Sequence, residues 1–196
     1  MKDKKIIIAF AGRKGHGKDY CAHLARTLMY DDSTRTSFAD PIKSLAASMF
    51  GWDGRKDKKG RRFLQLLGTE VGRCYHDRIW LDKALAGIRE AKTEVVFNTD
   101  LRFGLEVEGL SELKKDGHTV FFIHVNKLDR GQWWTNLVHR FRCAVGLEHS
   151  SERGLPQETF DFFITNDFGY PERTIQQVRD ILMFCGVTDV REECTF

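Results

Sequence analysis

Residues 5–20, "KIIIAFAGRKGHGKDY", join an apolar run to a glycine-rich turn, and this stretch decides the fold. The run "KIIIAFA" has the β-branched content of a strand that is buried on both faces of a parallel sheet. After the turn, Tyr20, Leu24 and Leu28 recur every four residues, a spacing that predicts an amphipathic helix. A glycine-rich turn between a strand and a helix is the context of a phosphate-binding loop.

The spacing inside the turn agrees with a phosphate-binding loop. Gly12, Gly17 and Lys18 match the pattern GxxxxGK, and Gly15 adds a point where the backbone can take a positive φ. Backbone N–H groups of such a loop converge on phosphate oxygens at a helix N-terminus, and the lysine reaches the β- and γ-phosphates. The alternative is a plain turn with a surface lysine. We expect nucleotide binding by Gly12, Arg13, Lys14, Gly15, His16, Gly17, Lys18, Asp19 and Tyr20.

Asp19 stands where the usual pattern has Ser or Thr, whose hydroxyl group ligates Mg²⁺. A carboxylate at this position could hold the metal directly or through a water molecule. It could also act only as an acidic residue in the first turn of a helix, favoured by the helix dipole. These roles stay open on the sequence alone.

The rest of the chain alternates between strand and helix patterns. Strands are predicted at 34–40, 93–100, 118–125 and 161–167, helices at 18–32, 41–51, 61–75, 79–92, 104–117 and 171–186, and a polar loop at 52–60. This alternation implies crossover connections and a mainly parallel sheet that is covered on both faces. We therefore expect a three-layer α/β fold of the P-loop NTPase type, with residues 1–196 forming a single domain and residues 127–158 a lid insert.

The composition limits the classes of function. A chain of 196 residues with 41% hydrophobic and 30% charged residues suits one folded soluble domain. A net charge of +3 suits a phosphate-bearing ligand and argues against nucleic acid as a partner. No apolar run approaches the ~18 residues that cross a bilayer, and the first one is too short for a signal peptide. We expect no membrane partner and a cytoplasmic location.

The cysteine pattern agrees with a reducing compartment. The five cysteines are scattered singly, without CxxC spacing, and their number is odd: Cys21, Cys74, Cys143, Cys185 and Cys194. This usage indicates neither a disulfide framework nor a zinc site.

Two pairs of charged residues follow predicted strands. Asp100 and Arg102 come at the end of "TEVVFNTD", at the sheet edge where open parallel sheets bind ligands. The carboxylate could organise Mg²⁺ and the guanidinium could grip a phosphate, although a surface pair that caps a helix is the alternative. Asp40 and Lys43 lie at the end of the strand predicted at 34–40, where an ordinary N-cap explains them equally well.

Further polar residues lie in helical and irregular segments. Arg62, Gln65, Glu70 and Arg73 could line an acceptor pocket, although a solvated helix face explains them nearly as well. Residues 127–158 combine arginines with Trp133 and Trp134, which could stack on a base or pack inside the protein. His149 with its neighbouring carboxylates is weak evidence for a metal site.

Taken in order along the chain, the motifs resemble the deoxynucleoside monophosphate kinases encoded by bacteriophages. The resemblance rests on "GRKGHGKD", "SFADPIK", "LQLLGTEVGR" followed by "WLDKAL", "TDLRFGLEVEGL", "EHSSE" and "DFFITND", from residue 6 to about residue 185. Asp19 after the lysine is characteristic of this branch. The resemblance implies transfer of the γ-phosphoryl group of ATP to the 5′-phosphate of a deoxynucleoside monophosphate, with ATP and Mg²⁺ as cofactors, in the host cytoplasm if the chain is phage-encoded.

The resemblance also implies roles for individual residues. The catalytic set is Lys18, Asp100 and Arg102 with the insert arginines Arg130, Arg140 and Arg142, and the metal ligands are Asp19 and Asp100. The acceptor would be bound by Asp40, Lys43, Gln65, Glu70, Arg73, Trp80, Arg102 and Glu152. The long insert departs from the short arginine-containing link that family members often have. The identity of the arginine that acts on the γ-phosphate therefore stays open.

The sequence leaves three alternative functions and the oligomeric state undecided. Phosphomevalonate kinases of the animal type share the "GKD" ending and are the alternative, although "FADP" and "LGTE" favour the nucleotide enzyme. A nucleotide-binding protein that transfers no phosphate is a second alternative. A kinase that acts on phage DNA is a third, and the modest net charge argues against it. The tryptophan pair or the helix at 79–92 could form a homodimer contact as easily as a core.

Overall fold

The computed structural model of the chain describes residues 4–30, 32–128 and 155–191. Five strands form one sheet in the order β2-β3-β1-β4-β5, and every neighbouring pair is parallel. The strands are β1 (Ile6–Ala11), β2 (Ser33–Thr36), β3 (Val95–Leu101), β4 (Thr119–Lys127) and β5 (Phe162–Asn166). The sheet therefore has the parallel arrangement that the strand and helix alternation predicts.

The connections between the strands are mainly helical. The α-helices are α1 (Lys18–Leu28), α2 (Asp40–Phe50), α3 (Lys58–Gln65), α4 (Ile79–Glu90), α5 (Gly104–Lys115) and α6 (Pro171–Phe184). A π-helical segment, Leu66–Arg73, continues α3, and a short 3-10 turn, Gln157–Thr159, precedes β5. Among the described residues, no helix has the length and apolar character that crossing a bilayer requires.

The two faces of the sheet bury separate cores. Ile8 and Phe10 of β1 point to the face that is covered by α1 and α6, whereas Ile7 and Ala9 point to the face that is covered by α4 and α5. This alternation follows from the period of two in a strand. The predicted three-layer α/β fold is thereby confirmed. The apolar face of α4, a candidate dimer contact, is buried in the second core within the chain.

Several predicted boundaries are wrong. Helix α1 ends at Leu28 instead of residue 32, and β2 covers Ser33–Thr36 instead of 34–40. Helix α3 begins at Lys58, inside the predicted polar loop, because the Asp57 carboxylate accepts a hydrogen bond from the Gly60 N–H at 2.7 Å and caps the helix.

The segment predicted as one helix over 61–75 changes its type after Gln65. In the π-helical part, the Gly68 carbonyl accepts a hydrogen bond from Trp80 Nε1 at 2.9 Å. A side chain on Gly72 would overlap the same indole ring. The absence of a side chain on Gly72 thus lets Trp80 lie against the backbone of this segment.

The predicted lid insert over 127–158 falls mostly outside the described residues, which resume at Leu155. The organisation of residues 1–196 as one domain with a lid stays a prediction.

The contact between α4 and α5 gives a test of the packing. A Cβ on Gly109 of α5 would lie 2.8 Å from both methyl carbons of the buried Leu81, so Gly109→Ala should overpack this contact. We expect the free energy of unfolding to fall by about 1 to 2 kcal/mol, although alanine favours a helix by about 1 kcal/mol. Urea denaturation followed by circular dichroism measures the change.

Gly87 of α4 is the matched control, because a Cβ there would meet nothing within 4 Å and the position is exposed. Gly87→Ala should raise the free energy of unfolding by up to about 1 kcal/mol. Equal effects of the two substitutions would contradict the tight packing between α4 and α5.

Candidate active site

The glycine-rich loop between β1 and α1 has the backbone that the sequence predicts. Gly12, Gly15 and Gly17 have φ angles of 139°, 82° and 92°, in the left-handed region that favours glycine. A side chain on Gly12 would overlap the Val125 carbonyl oxygen of β4, and one on Gly17 would overlap the Asn166 side chain. The first and last of these glycines are therefore required by close approach as well as by conformation.

The ends of β4 and β5 hold the loop in place. His16 Nδ1 lies 3.3 Å from the Val125 carbonyl oxygen, and Asn166 Nδ2 donates a hydrogen bond to the His16 carbonyl at 3.0 Å. Burial lowers the pKa of His16, and the neighbouring Arg13 and Lys18 lower it further. Because the Val125 carbonyl oxygen can only accept, the Nδ1–H of His16 is the donor in this contact.

Lys18 is the first residue of α1, and its side chain folds back over the loop. Its Nζ donates hydrogen bonds to the carbonyl oxygens of Gly12 at 2.7 Å and Arg13 at 3.1 Å. The ammonium group thus lies over the glycine-rich turn, where a phosphate on the helix N-terminus would meet it.

Asp19 points away from the loop towards β2. Its carboxylate pairs with Arg35 Nη2 at 2.7 Å, and the same nitrogen donates to Thr99 Oγ1 of β3 at 3.0 Å. The sequence prediction did not include Arg35. No sequence signal singled it out, because the strand order that places β2 beside β3 is set by the fold.

Asp100 and Arg102 lie at the carboxyl end of β3, as predicted. Arg102 Nε donates to Asp100 Oδ1 at 2.5 Å, and the buried Asn98 side chain accepts a hydrogen bond from the Asp100 N–H at 3.2 Å. The pair is half-buried at the edge of the sheet, beside the phosphate loop.

Glu106 is a site residue that the sequence prediction missed. Its Oε2 accepts hydrogen bonds from the N–H groups of Arg102 at 2.8 Å and Phe103 at 3.0 Å, so this carboxylate fixes the turn after β3. Burial raises the pKa of Glu106 to about 7, although these two backbone hydrogen bonds oppose the increase. Arg73 Nη2 lies 3.9 Å from its Oε1, and the Arg73 guanidinium stacks on the Phe103 ring at 4.6 Å.

These groups line one cleft of about 480 Å³. Its lining includes three carboxylates, Asp19, Asp100 and Glu106, and eight basic side chains: Lys14, Lys18, Arg35, Lys43, Lys56, Arg61, Arg73 and Arg102. Each of the three carboxylates faces an arginine. The excess of basic groups makes the cleft a site for anions, and its lining runs from the phosphate loop to the π-helical segment.

A smaller cavity of about 250 Å³ adjoins the cleft and shares Phe38, Arg73, Phe103 and Glu106 with it. Its other lining residues are Asp77, Trp80, Leu81 and Leu105. Aromatic walls with a few charged groups are typical of a pocket that receives a flat ring.

Most of the predicted site residues lie in or beside the cleft. Its lining includes Lys14, Gly15, Lys18, Asp19, Lys43, Gln65, Arg73, Asp100 and Arg102. Trp80 lines the smaller cavity. Asp40 is the first residue of α2 and does not serve as its N-cap, which is Ala39. Its carboxylate instead accepts hydrogen bonds from the N–H and hydroxyl groups of Ser37 and from Lys43 Nζ.

Other predicted residues lie elsewhere. Tyr20 packs against the core under α1. Glu70 is exposed on the π-helical segment and does not line the cleft. Arg61 lines the cleft and Arg62 does not, so this position of the predicted helix face was wrong. Arg130, Arg140, Arg142, Glu152, Trp133, Trp134 and His149 lie outside the described residues.

The donor set fits a magnesium ion that is shared with a nucleotide. Mg²⁺ is usually bound by one or two carboxylates together with phosphates and water, and Asp19 and Asp100 supply two carboxylates in the cleft. Among residues 4–30, 32–128 and 155–191, no group of three or more His, Cys, Asp or Glu side chains could hold a metal ion. A metal here would therefore depend on phosphate oxygens.

Sequence comparison finds the resemblance to the phage enzymes over part of the chain. A deoxynucleoside-5′-monophosphate kinase of Escherichia phage T5 is 33% identical over 110 residues, which are 55% of this chain and 39% of that protein. The chain thus spans well under half of the length of this relative. No family model matches the chain.

Two solved structures superpose on more than nine tenths of this chain. The structure of a Deinococcus radiodurans tunicamycin resistance protein superposes with a TM-score of 0.51 at 18% identity, covering 95% of this chain and 99% of that chain. A Mycobacterium tuberculosis APS kinase in complex with AMPPNP and APS gives a TM-score of 0.47 at 12% identity, covering 92% and 98%. The first of these supports the α/β fold described above.

Glu106 gives a test of the electrostatics of the site. Its pKa is about 7 in the folded protein against an ordinary value of 4.5, so the folded state binds this proton more tightly than the unfolded state. The corresponding stability is present below about pH 4.5 and is lost as the pH rises through about 7. Relative to wild type, Glu106→Gln should gain up to about 3 kcal/mol of unfolding free energy between about pH 4 and about pH 8.

Urea denaturation over this pH range measures the difference. Glu108→Gln, at an exposed position of the same helix, is the control and should keep the wild-type dependence on pH. A pH dependence of Glu106→Gln that matches wild type would show that Glu106 is ionised without penalty.

Proposed function

We propose that the chain is an ATP-dependent deoxynucleoside monophosphate kinase, which gives a deoxynucleoside diphosphate and ADP. One observation carries the proposal: a single basic cleft joins the phosphate loop to Arg102 and Arg73 at the end of β3 and of the π-helical segment. Such a cleft suits two phosphate-bearing substrates that meet in the middle. The 33% identity to the phage T5 enzyme over 110 residues supports the same function.

The donor end of the cleft is the phosphate loop. The β- and γ-phosphates of ATP would take the place over the loop where Lys18 Nζ now donates to the Gly12 and Arg13 carbonyls. The N–H groups at the start of α1 and the helix dipole favour the same anion. Lys14 and Gly15 line the adjoining wall of the cleft.

The acceptor end is formed by arginines whose side chains are already oriented. Arg102 is held by Asp100, and Arg73 is held between Glu106 and the Phe103 ring. These guanidinium groups would bind the 5′-phosphate of the acceptor. The smaller cavity beyond Arg73, with Phe38, Phe103 and Trp80 in its lining, would take the base.

The reaction needs neutralisation of charge more than it needs a base. A phosphate monoester has a second pKa of about 6, so the acceptor is largely a dianion at neutral pH and no group has to remove a proton. The barrier comes from bringing two anions together, and preorganised cations lower it. A magnesium ion held by Asp100 with the phosphates would neutralise charge on the donor, whereas Asp19, predicted as a second ligand, is paired with Arg35 and points away from the loop.

The proposal extends to the insert. Arg130, Arg140 and Arg142 supply guanidinium groups close in sequence to β4, whose end adjoins the phosphate loop at Val125. One of them would approach the transferring phosphoryl group, and Glu152 would contact the acceptor. Closure of such an insert would exclude water, which otherwise competes as an acceptor.

The proposed location is the cytoplasm. Among the described residues, Cys21, Cys74 and Cys185 are free thiols, and burial raises the pKa of Cys21 and Cys185 to about 12. Thiols of this kind are stable in a reducing compartment.

A panel of acceptors tests the proposed function. With ATP and Mg²⁺, ADP should be released in the presence of at least one of the four deoxynucleoside monophosphates, and Lys18→Ala should lower the rate by at least ~100-fold. Lys83→Ala, an exposed lysine of α4, is the control and should keep the rate. A coupled assay of ADP release measures these rates.

Two results would contradict the proposal; they come from the same assay with phosphomevalonate added to the panel and from a separate measurement of ATP binding. Activity on phosphomevalonate alone would assign a different acceptor. ATP binding without phosphoryl transfer to any nucleotide in the panel would indicate a binding protein.

Arg102 tests the acceptor end. Arg102→Ala should raise the KM for the deoxynucleoside monophosphate by roughly 10- to 100-fold, because a charge-assisted contact to phosphate is lost, and it should leave the KM for ATP within about twofold. Arg89→Ala removes an arginine that pairs with Asp116 at 2.9 Å outside the cleft and should change neither constant. An unchanged acceptor KM in Arg102→Ala would remove Arg102 from the acceptor site.

A further inference from the structure

Asp19 places a negative charge beside the phosphate loop. It follows Lys18 in the first turn of α1, and its side chain is 75% exposed in the wall of the cleft. A hydroxyl group at this position would be neutral, whereas a carboxylate repels the phosphates of a nucleotide bound to the same helix N-terminus. A compensating interaction is therefore needed if the loop is to bind a nucleotide well.

Arg35 makes contacts suited to this compensation. Its Nη2 lies 2.7 Å from Asp19 Oδ1 and also donates to Thr99 Oγ1 at 3.0 Å. Thr99 is buried near the carboxyl end of β3, so it ties the guanidinium to the sheet. The three residues come from α1, β2 and β3, and all of them line the cleft.

The geometry also fixes the direction of the carboxylate. Because Arg35 is anchored on Thr99, the ion pair draws Asp19 towards β2 and β3 and leaves the N–H groups at the start of α1 to a phosphate. An ordinary exposed ion pair has little effect on stability, so the consequence of this pair should appear in nucleotide binding and not in folding.

We propose that Arg35 is a positioning residue of the phosphate loop, which holds the Asp19 carboxylate away from the nucleotide phosphates and compensates its charge. The proposal rests on the proposed function, since it requires that the loop binds a nucleotide. Asp19 and Arg35 then act as one unit, which stands at the position where the usual pattern has a hydroxyl group. Arg35 acts through Asp19 and has no contact of its own with the nucleotide.

A double-mutant cycle on nucleotide binding tests this role. The proteins are wild type, Arg35→Gln, Asp19→Ser and the double variant, and the measurement is the Kd of ATP by calorimetry in EDTA, so that no metal ion supplies the counter-charge. Arg35→Gln should weaken binding by roughly tenfold when Asp19 is present and by less than about twofold when Ser occupies position 19. Thermal unfolding of each variant checks that it is folded.

Arg26→Gln is the matched control. Arg26 is an exposed arginine of α1, and its Nε donates to Ser33 Oγ of β2 at 3.2 Å outside the cleft. This variant should bind ATP as wild type does. If Arg26→Gln weakens ATP binding as much as Arg35→Gln does, the general loss of positive charge explains the effect, and the proposal is overturned.

The other outcomes are distinct. If Arg35→Gln weakens ATP binding equally with Asp19 and with Ser at position 19, Arg35 contacts the phosphates directly, and the proposal is overturned. No weakening in either background would reduce the pair to a surface contact and would overturn it as well. If wild type itself fails to bind ATP with or without Mg²⁺, the proposed function fails, a result that the first two outcomes cannot mimic.

Discussion

The close approach of the glycine-rich loop to the ends of β4 and β5 is the constraint on which the site depends. Gly12 lies against the Val125 carbonyl and Gly17 against the Asn166 side chain, with no room for a Cβ at either position. This contact brings the start of α1 to the carboxyl edge of the sheet. The groups at the end of β3 then share one cleft with the loop, because β3 is the other neighbour of β1.

The pairing of each carboxylate with an arginine is the second feature of the cleft. Asp19, Asp100 and Glu106 each face an arginine, and the half-exposed pairs among them contribute little to folding. Their effect is to orient guanidinium groups before any ligand arrives. Such orientation matters for a reaction whose barrier is repulsion between anions, because the cations need not reorganise when the substrates meet.

The sequence predicts the parts of the site that are local. The strand, loop and helix from β1 to α1 follow from apolar runs and glycines, and Asp100 and Arg102 follow from their place after a buried strand. Arg35 and Glu106 could not be found in this way. Arg35 acquires its role by a contact with Asp19 across two elements, and the burial of Glu106 depends on how α5 packs.

The error at Glu70 shows why helix faces are harder to predict than strand ends. The chain already enters α3 at Lys58, because Asp57 caps it, and it becomes π-helical after Gln65. A π-helical turn has hydrogen bonds from i to i+5, so the residues on one face no longer follow the spacing of three and four. This segment also has a tertiary contact that the local sequence does not reveal, since Trp80 lies against Gly68 and Gly72. The same indole ring lines the smaller cavity together with Arg73, so the segment whose face is hard to predict from the sequence also borders that cavity.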